Sequence, residues 1–260
     1  MCMTKRIVFF AYGVVAYVFF LATFLYAIAF VGGFVVPTRL DGASQGPLLQ
    51  SLLIDAGLLM LFAVQHSVMA RAWFKERWTR IVPAVLERST YVLFASAALA
   101  LLCWQWRPLG GVVWSLGQPW SAVLRAFFAV GWSTVLIMTF LINHFDLFGL
   151  RQVWLYLIGR PYTKVNFVTP APYRFVRHPL YLGFLIAFWS APTMTVAHLF
   201  FAVATTAYIV IAIQFEERDL AREHGSDYEE YRQRVPMLLP VGKRGAASRR
   251  EESRLPQTAQ

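Results

Sequence analysis

The sequence predicts an all-α protein that crosses a lipid bilayer several times, and three observations predict this class. Apolar residues make up 58% of the 260 positions, and only 15% are Asp, Glu, Lys or Arg, whereas soluble domains carry about 25% charged residues. The mean hydropathy is +0.51. The apolar residues also gather in five long runs with at most one charged residue each. These features exclude a disordered chain, a disulfide scaffold and an ordinary soluble enzyme.

The first apolar run follows Lys5 and Arg6 and contains no charged residue from Ile7 to Val36. The apolar core of a secretory signal peptide covers about 7–15 residues, and this run is about twice as long. The sequence therefore predicts a first spanning helix over Ile7–Val31.

Three further spanning helices are predicted over Leu48–Ala70, Ser89–Trp106 and Ala122–Ile142. Each approaches the roughly 20 residues that an α-helix needs to cross the hydrocarbon core. The segments between them are rich in Pro and Gly, which interrupt helices.

The last run, Tyr181–Phe215, contains no charged residue and includes Pro192. As one helix it would be about 52 Å long, far more than the roughly 30 Å of a hydrocarbon core. We therefore expect a helical hairpin that turns near Ala191–Thr195, which gives five to six transmembrane segments. One long tilted helix is the alternative.

The charge distribution predicts the orientation in the membrane. The net charge is +10, with 24 Lys and Arg. In a soluble protein this excess would suggest nucleic acid, but in a membrane protein cationic loops mark the cytoplasmic side. With a cytoplasmic N-terminus, only Arg39, Arg107 and Arg125 fall on the opposite side. We therefore expect both termini in the cytoplasm, which favours the hairpin, and no nucleic-acid partner.

The region after the hairpin predicts a short amphipathic helix on the cytoplasmic side. Gly225 suits the position after a helix end, and Ser226 with Glu229 has the pattern of a capping box. Pro236 and Pro240 would end this helix. We expect residues 1–240 to form a single domain and residues 241–260 to form a disordered basic tail.

Several kinds of chemistry lack a motif in this sequence. The two cysteines, Cys2 and Cys103, are neither paired by spacing nor near other zinc ligands, so we expect no disulfide and no metal site. The glycine-rich nucleotide motifs, the zinc-protease motif and the serine-hydrolase elbow are also missing.

Most of the scarce ionisable residues fall at one predicted depth, the cytoplasmic boundary. They come from five chain segments: His66, Glu87, Asn143 with His144 and Asp146, Arg174 with Arg177 and His178, and Glu216 with Glu217. Ionisable groups within membrane segments are functional candidates by default, so these segments are predicted to form one pocket. For any single residue, a hydrated helix end is the alternative. Asp55 and His198 lie outside this layer and are predicted to serve packing or hydrogen bonding.

The densest motif surrounds the start of the hairpin, where Arg177 and His178 precede Pro179. Proline suits the first turn of a helix, and a helix N-terminus offers free N–H groups and a partial positive charge. This position suits a carboxylate, and Gly183 would permit close approach of a ligand to the backbone.

Other side chains near the motif suit other parts of one ligand. Tyr173 and Tyr181 offer aromatic faces to a planar base or a cation, and Glu216 and Glu217 can accept hydrogen bonds from ribose hydroxyls or an amine. A ligand with a carboxylate, a cation, a ribose and a purine satisfies all of these groups. S-Adenosylmethionine is such a ligand.

The segment Pro172–Gly183 resembles the membrane methyltransferases of the isoprenylcysteine carboxyl methyltransferase superfamily, whose pattern is Gly-Pro-Tyr followed by Arg-His-Pro-x-Tyr-x-Gly. Ala171 stands where the first Gly is usual. The second half of the signature is Glu216-Glu217, then Leu220, His224-Gly225, Tyr228, Tyr231, Val235-Pro236 and Pro240. The resemblance covers residues 165–240, which it implies to be the cofactor-binding part.

Three upstream segments resemble the nurim-like branch of this superfamily, and within it the bacterial enzymes that methylate a small thiol. They are Gln65–Ser67, Glu87–Tyr91 and Asn143–Gly149. The resemblance implies a bacterial inner-membrane enzyme that converts methanethiol to dimethyl sulfide with S-adenosylmethionine, which becomes S-adenosylhomocysteine. Another acceptor (sulfide, an isoprenylcysteine carboxylate or a lipid amine) and a non-enzymatic nurim-like or NnrU-like membrane protein are the alternatives.

The resemblance also implies which residues form the site. The cofactor would lie between the Arg-His-Pro segment and the Glu-Glu end of the hairpin. The expected cofactor-binding residues are Tyr173, Arg177, His178, Pro179, Tyr181, Gly183, Glu216 and Glu217. The thiolate is the effective nucleophile, so a base is expected, and its candidates are His66, Glu87, His144 and Asp146. A direct His144–Asp146 pair would need a loop, because positions i and i+2 diverge on a helix.

Overall fold

A computed structural model describes residues 3–34, 36–163 and 171–240 of the chain. Its elements, in order, are α1 (Met3–Gly32), α2 (Leu48–Ala70), α3 (Ala72–Trp78), α4 (Ala84–Gln105), β1 (Val112–Ser115), α5 (Trp120–Ile142), α6 (His144–Leu147), α7 (Leu150–Leu157), a 3-10 turn (Ala171–Arg174), α8 (Pro179–Trp189), β2 (Thr193–Thr195), α9 (Val196–His224) and α10 (Ser226–Arg234). The expected tail, 241–260, and the first part of the expected cofactor-binding part, 165–170, lie outside the described residues.

Five of these helices are long and apolar enough to cross a membrane: α1, α2, α4, α5 and α9. This confirms the predicted all-α multi-pass membrane protein. The boundaries differ most for α4, which begins at Ala84 rather than Ser89 and so includes Glu87 and Arg88. Charged residues in the first turn of a spanning helix reach the polar interface, so they extend the helix instead of ending it.

The predicted hairpin is present, and the single long helix is excluded. α8 has 11 residues, about 16 Å, while α9 has 29 residues and ends beyond the apolar run. Between them the chain forms β2, which pairs antiparallel with β1 so that Val112 faces Thr195 and Ser115 faces Thr193. These two short strands were not predicted, because four and three residues give no readable alternation of apolar and polar positions.

α8 packs along α5, and two glycines make this contact close. A Cβ atom on Gly131 would lie 2.6 Å from the backbone nitrogen of Ala187, and one on Gly183 would lie 2.9 Å from the carbonyl oxygen of Gly131. Any larger residue at either position would therefore push the two helices apart. Trp132 packs beside this contact, with its ring centroid 5.7 Å from that of Phe184.

The helices alternate in direction, so the bundle has two distinct ends. The basic end holds the starts of α1, α4 and α8 and the ends of α2, α5 and α9, together with α3, α6, α7 and α10. The turn end holds β1, β2 and the loop after α1. At the turn end Leu40 is fully buried and its carbonyl accepts a hydrogen bond from Trp106 Nε1 at 3.2 Å.

The chain passes from α9 to α10 at Gly225, whose φ of +54° confirms it as a helix-ending glycine. The capping box is wrong: Ser226 is already helical, and no side chain caps α10. Gly225 both ends α9 and precedes α10, so the position that would cap α10 has no side chain. α10 is amphipathic as predicted, since Tyr228 is buried while most of its other residues are exposed or half-buried.

Candidate active site

The Arg-His-Pro segment lies at the basic end, directly before α8. Pro179 is the first residue of α8, as predicted. The backbone N–H of Arg177 donates to the carbonyl of Pro236 at 2.9 Å, and that of His178 donates to Met237 at 3.2 Å. The chain after α10 therefore runs back along this segment and fixes its backbone.

Glu217, near the end of α9, is the central acceptor of the site. Its Oε1 lies 2.8 Å from Nε and 2.7 Å from Nη2 of Arg177, and 3.0 Å from Nε2 of His178. All three side chains are buried. A buried carboxylate is tolerated when opposite charge and hydrogen bonds compensate it, so this contact joins the start of α8 to the end of α9.

Arg177 also binds two backbone carbonyls. Its Nη1 donates to Arg232 at 3.0 Å and to Val235 at 2.6 Å. Together with Glu217, these partners engage Nε and both terminal nitrogens. These contacts use at most four of the five N–H groups of Arg177, so one N–H of Nη2 is left for the ligand carboxylate that was predicted as its partner.

Tyrosines line the same region. Tyr181 donates to Oε2 of Glu216 at 2.9 Å, and its ring centroid lies 5.7 Å from that of His178. Tyr231 donates to the carbonyl of Tyr173 at 2.7 Å. Burial, with a smaller contribution from Glu216, raises the pKa of Tyr173, and burial raises the pKa of Tyr231 to about 12. These phenols are therefore neutral near pH 7 and act as hydrogen-bonding groups.

Tyr228, on the inward face of α10, is the exception in this group. It is 1% exposed, and its hydroxyl has no hydrogen-bond partner among the described residues. Burial, followed by the charge of Glu217, raises its pKa. In the sequence, Tyr228 stands out only as part of the family signature.

Gly183 has a different neighbour from the predicted one. The space that its missing side chain leaves is filled by Gly131 and Val135 of α5. The close packing of α8 against α5 therefore explains why residue 183 is a glycine, and a ligand contact at Gly183 remains a prediction.

A second group of polar side chains lies where α2, α4 and α9 meet. His66 is 3.0 Å from the hydroxyl of Tyr91, and Ser67 is 3.2 Å from the hydroxyl of Tyr208. This group lies towards the basic end of the bundle, near the ends of α2 and α9. Tyr91 and Tyr208 were not predicted as site residues, since tyrosines at a membrane interface are common in any span.

Two charged residues at the start of α4 face this group from the basic end. The guanidinium of Arg88 lies 5.1 Å from the ring centroid of Tyr91, and its Nε donates to the carbonyl of Leu147 at 2.6 Å. Glu87 is half-buried. Burial lowers the pKa of Lys75, and the negative charge of Glu87 opposes that shift.

His144 is buried in a third group, at the end of α5. Its Nδ1 lies 2.8 Å from the hydroxyl of Thr139, and its Nε2 lies 2.8 Å from that of Tyr17. Thr139 donates its own hydrogen to Leu136, so it accepts from Nδ1–H of His144, and Nε2 accepts from Tyr17. A neutral ring satisfies every bond, in agreement with the direction in which burial lowers the pKa of His144.

Asp146 does not pair with His144. Its Oδ1 accepts from Arg151 at 2.9 Å, and its Oδ2 accepts from Tyr162 at 3.3 Å. His144 and Asp146 both lie in the short helix α6, and the side chains of residues two positions apart on a helix point in different directions, as expected.

Asp55 and His198 lie towards the turn end, away from this site. Asp55 is fully buried and accepts from the backbone N–H of Arg107 at 2.9 Å. His198 bonds to Asp41 and to the carbonyl of Phe188, each at 3.0 Å. Their contacts are those of hydrogen-bonding groups within the fold.

These features define a class of protein: a multi-pass helical membrane protein with a buried polar site at the basic end of its bundle. Comparison with known proteins defines the family. The chain is 55% identical over 235 residues to a methanethiol S-methyltransferase of Crocosphaera subtropica, covering 90% of this chain and 92% of that protein. It is 54% identical over 237 residues to that of Mycobacterium tuberculosis, covering 91% and 97%. The chain belongs to the methanethiol S-methyltransferase family, a family of methyltransferases.

A more distant likeness supports the predicted nurim-like branch. Nurim of Xenopus laevis is 30% identical over 177 residues, which cover 65% of this chain and 62% of that protein. No protein-family model matches the chain, and no solved structure matches it.

Proposed function

We propose that this protein methylates methanethiol to dimethyl sulfide with S-adenosylmethionine as the donor, and that it does so at the cytoplasmic face of a bacterial inner membrane. The observation that carries the proposal is the identity of 54–55% to enzymes of that name across nine-tenths of both chains. The basic end of the bundle, where most cations lie, supports the cytoplasmic placement.

The residues at the basic end fit the proposed cofactor. S-Adenosylmethionine supplies an electrophilic methyl group on a sulfonium cation when it is bound. The carboxylate of Glu216 and the faces of Tyr173 and Tyr181 suit that cation and the adenosine. The buried hydroxyl of Tyr228 offers a hydrogen bond that none of the described residues uses. We propose that His178 and Glu217 hold α8 and α9 together around this position.

Among the four base candidates, the contacts favour His66. Its ring approaches the single hydroxyl of Tyr91 with both nitrogens, each at 3.0 Å. When the N–H of one nitrogen donates to the hydroxyl oxygen of Tyr91, the other nitrogen keeps its lone pair and can take a proton. By contrast, hydroxyls engage both nitrogens of His144, and Asp146 is paired with Arg151. Glu87 lies farther towards the basic surface, in the first turn of α4.

The proposed reaction is an in-line displacement. The S–H proton of methanethiol passes to a ring nitrogen of His66. The thiolate then attacks the methyl carbon while the bond from that carbon to the sulfonium sulfur breaks, and the electron pair of that bond stays on the departing sulfur. The apolar bundle around the site gives methanethiol and the volatile product a route through the membrane.

Purified protein in detergent, supplied with S-adenosylmethionine and methanethiol, should release dimethyl sulfide that gas chromatography detects. A His178→Ala variant should lose S-adenosylhomocysteine binding in isothermal titration. A His66→Ala variant should bind S-adenosylhomocysteine as before and lose about 100-fold or more in kcat, the contribution typical of general-base catalysis.

The outcomes separate the parts of the proposal. Cofactor binding without dimethyl sulfide would contradict the substrate, and a panel with sulfide, an isoprenylcysteine and a lipid amine would then identify the acceptor class. Absence of S-adenosylhomocysteine binding would contradict the methyl donor. Full activity in the His66→Ala variant would contradict the base.

A further inference from the structure

The phenol of Tyr228 is a buried polar group with an unused hydrogen bond, and it lies on α10 beside the candidate site. The residue is 1% exposed, and its hydroxyl has no partner within the described part of the chain. Leaving a buried hydroxyl unpaired costs free energy, and native proteins rarely retain one without a reason.

The groups around Tyr228 are already engaged with each other. The ring centroid of Tyr228 lies 5.9 Å from that of Tyr231 on the same helix, and the carbonyl of Arg232 in that helix accepts from Nη1 of Arg177. Oε1 of Glu217 receives Arg177 and His178, and Oε2 of Glu216 receives Tyr181. Tyr231 donates to the carbonyl of Tyr173. The phenol of Tyr228 therefore lies beside the site without being part of its internal bonds.

The hydroxyl of Tyr228 can donate a hydrogen bond to a ligand, and the groups around it indicate which part of the ligand accepts that bond. The site already offers carboxylate oxygens to an amine or to ribose hydroxyls, whereas the positive group that would suit a carboxylate, Arg177, is bonded to Glu217 and two carbonyls. A phenol that donates to a carboxylate forms a strong, charge-assisted hydrogen bond.

We infer that the hydroxyl of Tyr228 donates a hydrogen bond to the α-carboxylate of the methyl donor, and that α10 is thereby part of the cofactor site. This inference rests on the proposed function, because it takes S-adenosylmethionine as the ligand. It assigns to Tyr228 the role that the motif would give to Arg177, and it leaves Arg177 to join α8, α9 and the chain after α10.

The test compares two ligands and two variants. The ligands are S-adenosylhomocysteine and its decarboxylated analogue, which differ only in the carboxylate. In isothermal titration, Tyr228→Phe should weaken S-adenosylhomocysteine binding about tenfold and change the affinity for the analogue less than about twofold. Without ligand, the melting temperature of this variant should stay the same or rise, because the change removes an unpaired buried hydroxyl.

Tyr231→Phe is the matched control, since it removes a hydroxyl that is bonded within the protein. It should lower the melting temperature of the ligand-free protein. A Tyr228→Phe variant that melts lower and binds S-adenosylhomocysteine as well as the wild type would show a structural hydroxyl and overturn the inference. Equal weakening for both ligands would overturn the carboxylate as its partner. A wild-type protein that binds neither ligand would contradict the proposed function as well as this inference.

Discussion

The helical hairpin carries a buried histidine at each end, and each histidine bonds to a carboxylate. The two pairs differ in how completely the protein uses them. At the turn end, His198 bonds to Asp41 through Nδ1 and donates to the carbonyl of Phe188 through Nε2. At the basic end, His178 bonds to Glu217 through Nε2. There the hydroxyl of Tyr228, on the helix whose Arg232 carbonyl binds Arg177, has no partner among the described residues.

This difference separates a structural pair from a site. The carbonyl of Phe188 is one of the last acceptors of α8, and helix ends need such partners. His198 therefore closes the end of a helix, and Thr195 adds a further bond to Asp41. The pair at the basic end belongs to a group in which one hydrogen bond remains available. Both pairs join a buried histidine to a carboxylate, although the side chain of Asp41 is 29% exposed and that of Glu217 only 9%. The pairing itself therefore does not mark a site, and we take the open bond at the basic end as the sign of ligand binding.

The change with the largest expected effect is Glu217→Gln at the basic end. It removes the negative charge that Arg177 and His178 share, and it leaves the guanidinium buried beside a neutral group. Breaking one side of a buried ion pair costs about 3–5 kcal/mol, so we expect a much lower melting temperature and loss of S-adenosylhomocysteine binding. Thermal melting and isothermal titration in the same detergent measure the two effects.

Glu216→Gln is the matched control for that change. The side chain of Glu216 bonds to Tyr181 and to no cation among the described residues. The Glu216→Gln variant should therefore have nearly the stability of the wild type but a lower affinity for the cofactor. If Glu217→Gln were as stable as Glu216→Gln, the basic end would not depend on the buried pair.

Much of the fold could be predicted from the sequence, because a bilayer imposes a length on each apolar run. α2 has the predicted limits, Leu48 and Ala70, and the hairpin turns where Pro192 interrupts a run too long for one span. The limits of α4 were harder to predict, since Glu87 and Arg88 extend the helix into the interface. Strands β1 and β2 depend on pairing between distant segments, which local sequence does not show.

The site could be predicted only in part. The motif and the concentration of ionisable residues at one depth indicated Tyr181, His178 and the two glutamates, and the structure brings these together. Sequence could not show that Arg177 binds carbonyls of the returning chain, or that Gly183 serves contact with α5. Both follow from tertiary packing between elements that are far apart in sequence.

A smaller effect is expected from Asp41→Asn at the turn end. Asparagine has nearly the same shape but only one acceptor oxygen, so it can keep only one of the two bonds from Thr195 and His198, without the assistance of a full charge. We expect a loss of about 1–2 kcal/mol in the free energy of unfolding and an unchanged affinity for S-adenosylhomocysteine. A more than threefold change in that affinity would show that the two ends are coupled through α8, and the contrast between the pairs would then fail.

His144 gives the smallest and most discriminating prediction, because it lies at the basic end yet has both ring nitrogens engaged. If a histidine with both ring nitrogens bonded within the protein takes no part in ligand binding, His144→Gln should leave the affinity for S-adenosylhomocysteine unchanged.

His144 should also affect how stability depends on pH. Burial lowers the pKa of His144 in the folded state, so the unfolded chain, in which this pKa is about 6.5, binds the proton first as the pH falls. The stability linked to His144 is therefore full above about pH 6.5 and declines below it. Melting temperatures between pH 8 and pH 5 should fall less steeply in His144→Gln than in the wild type. An equal slope would show that His144 has the same affinity for protons in both states, and a loss of cofactor binding would show that an internally bonded histidine can still belong to the site.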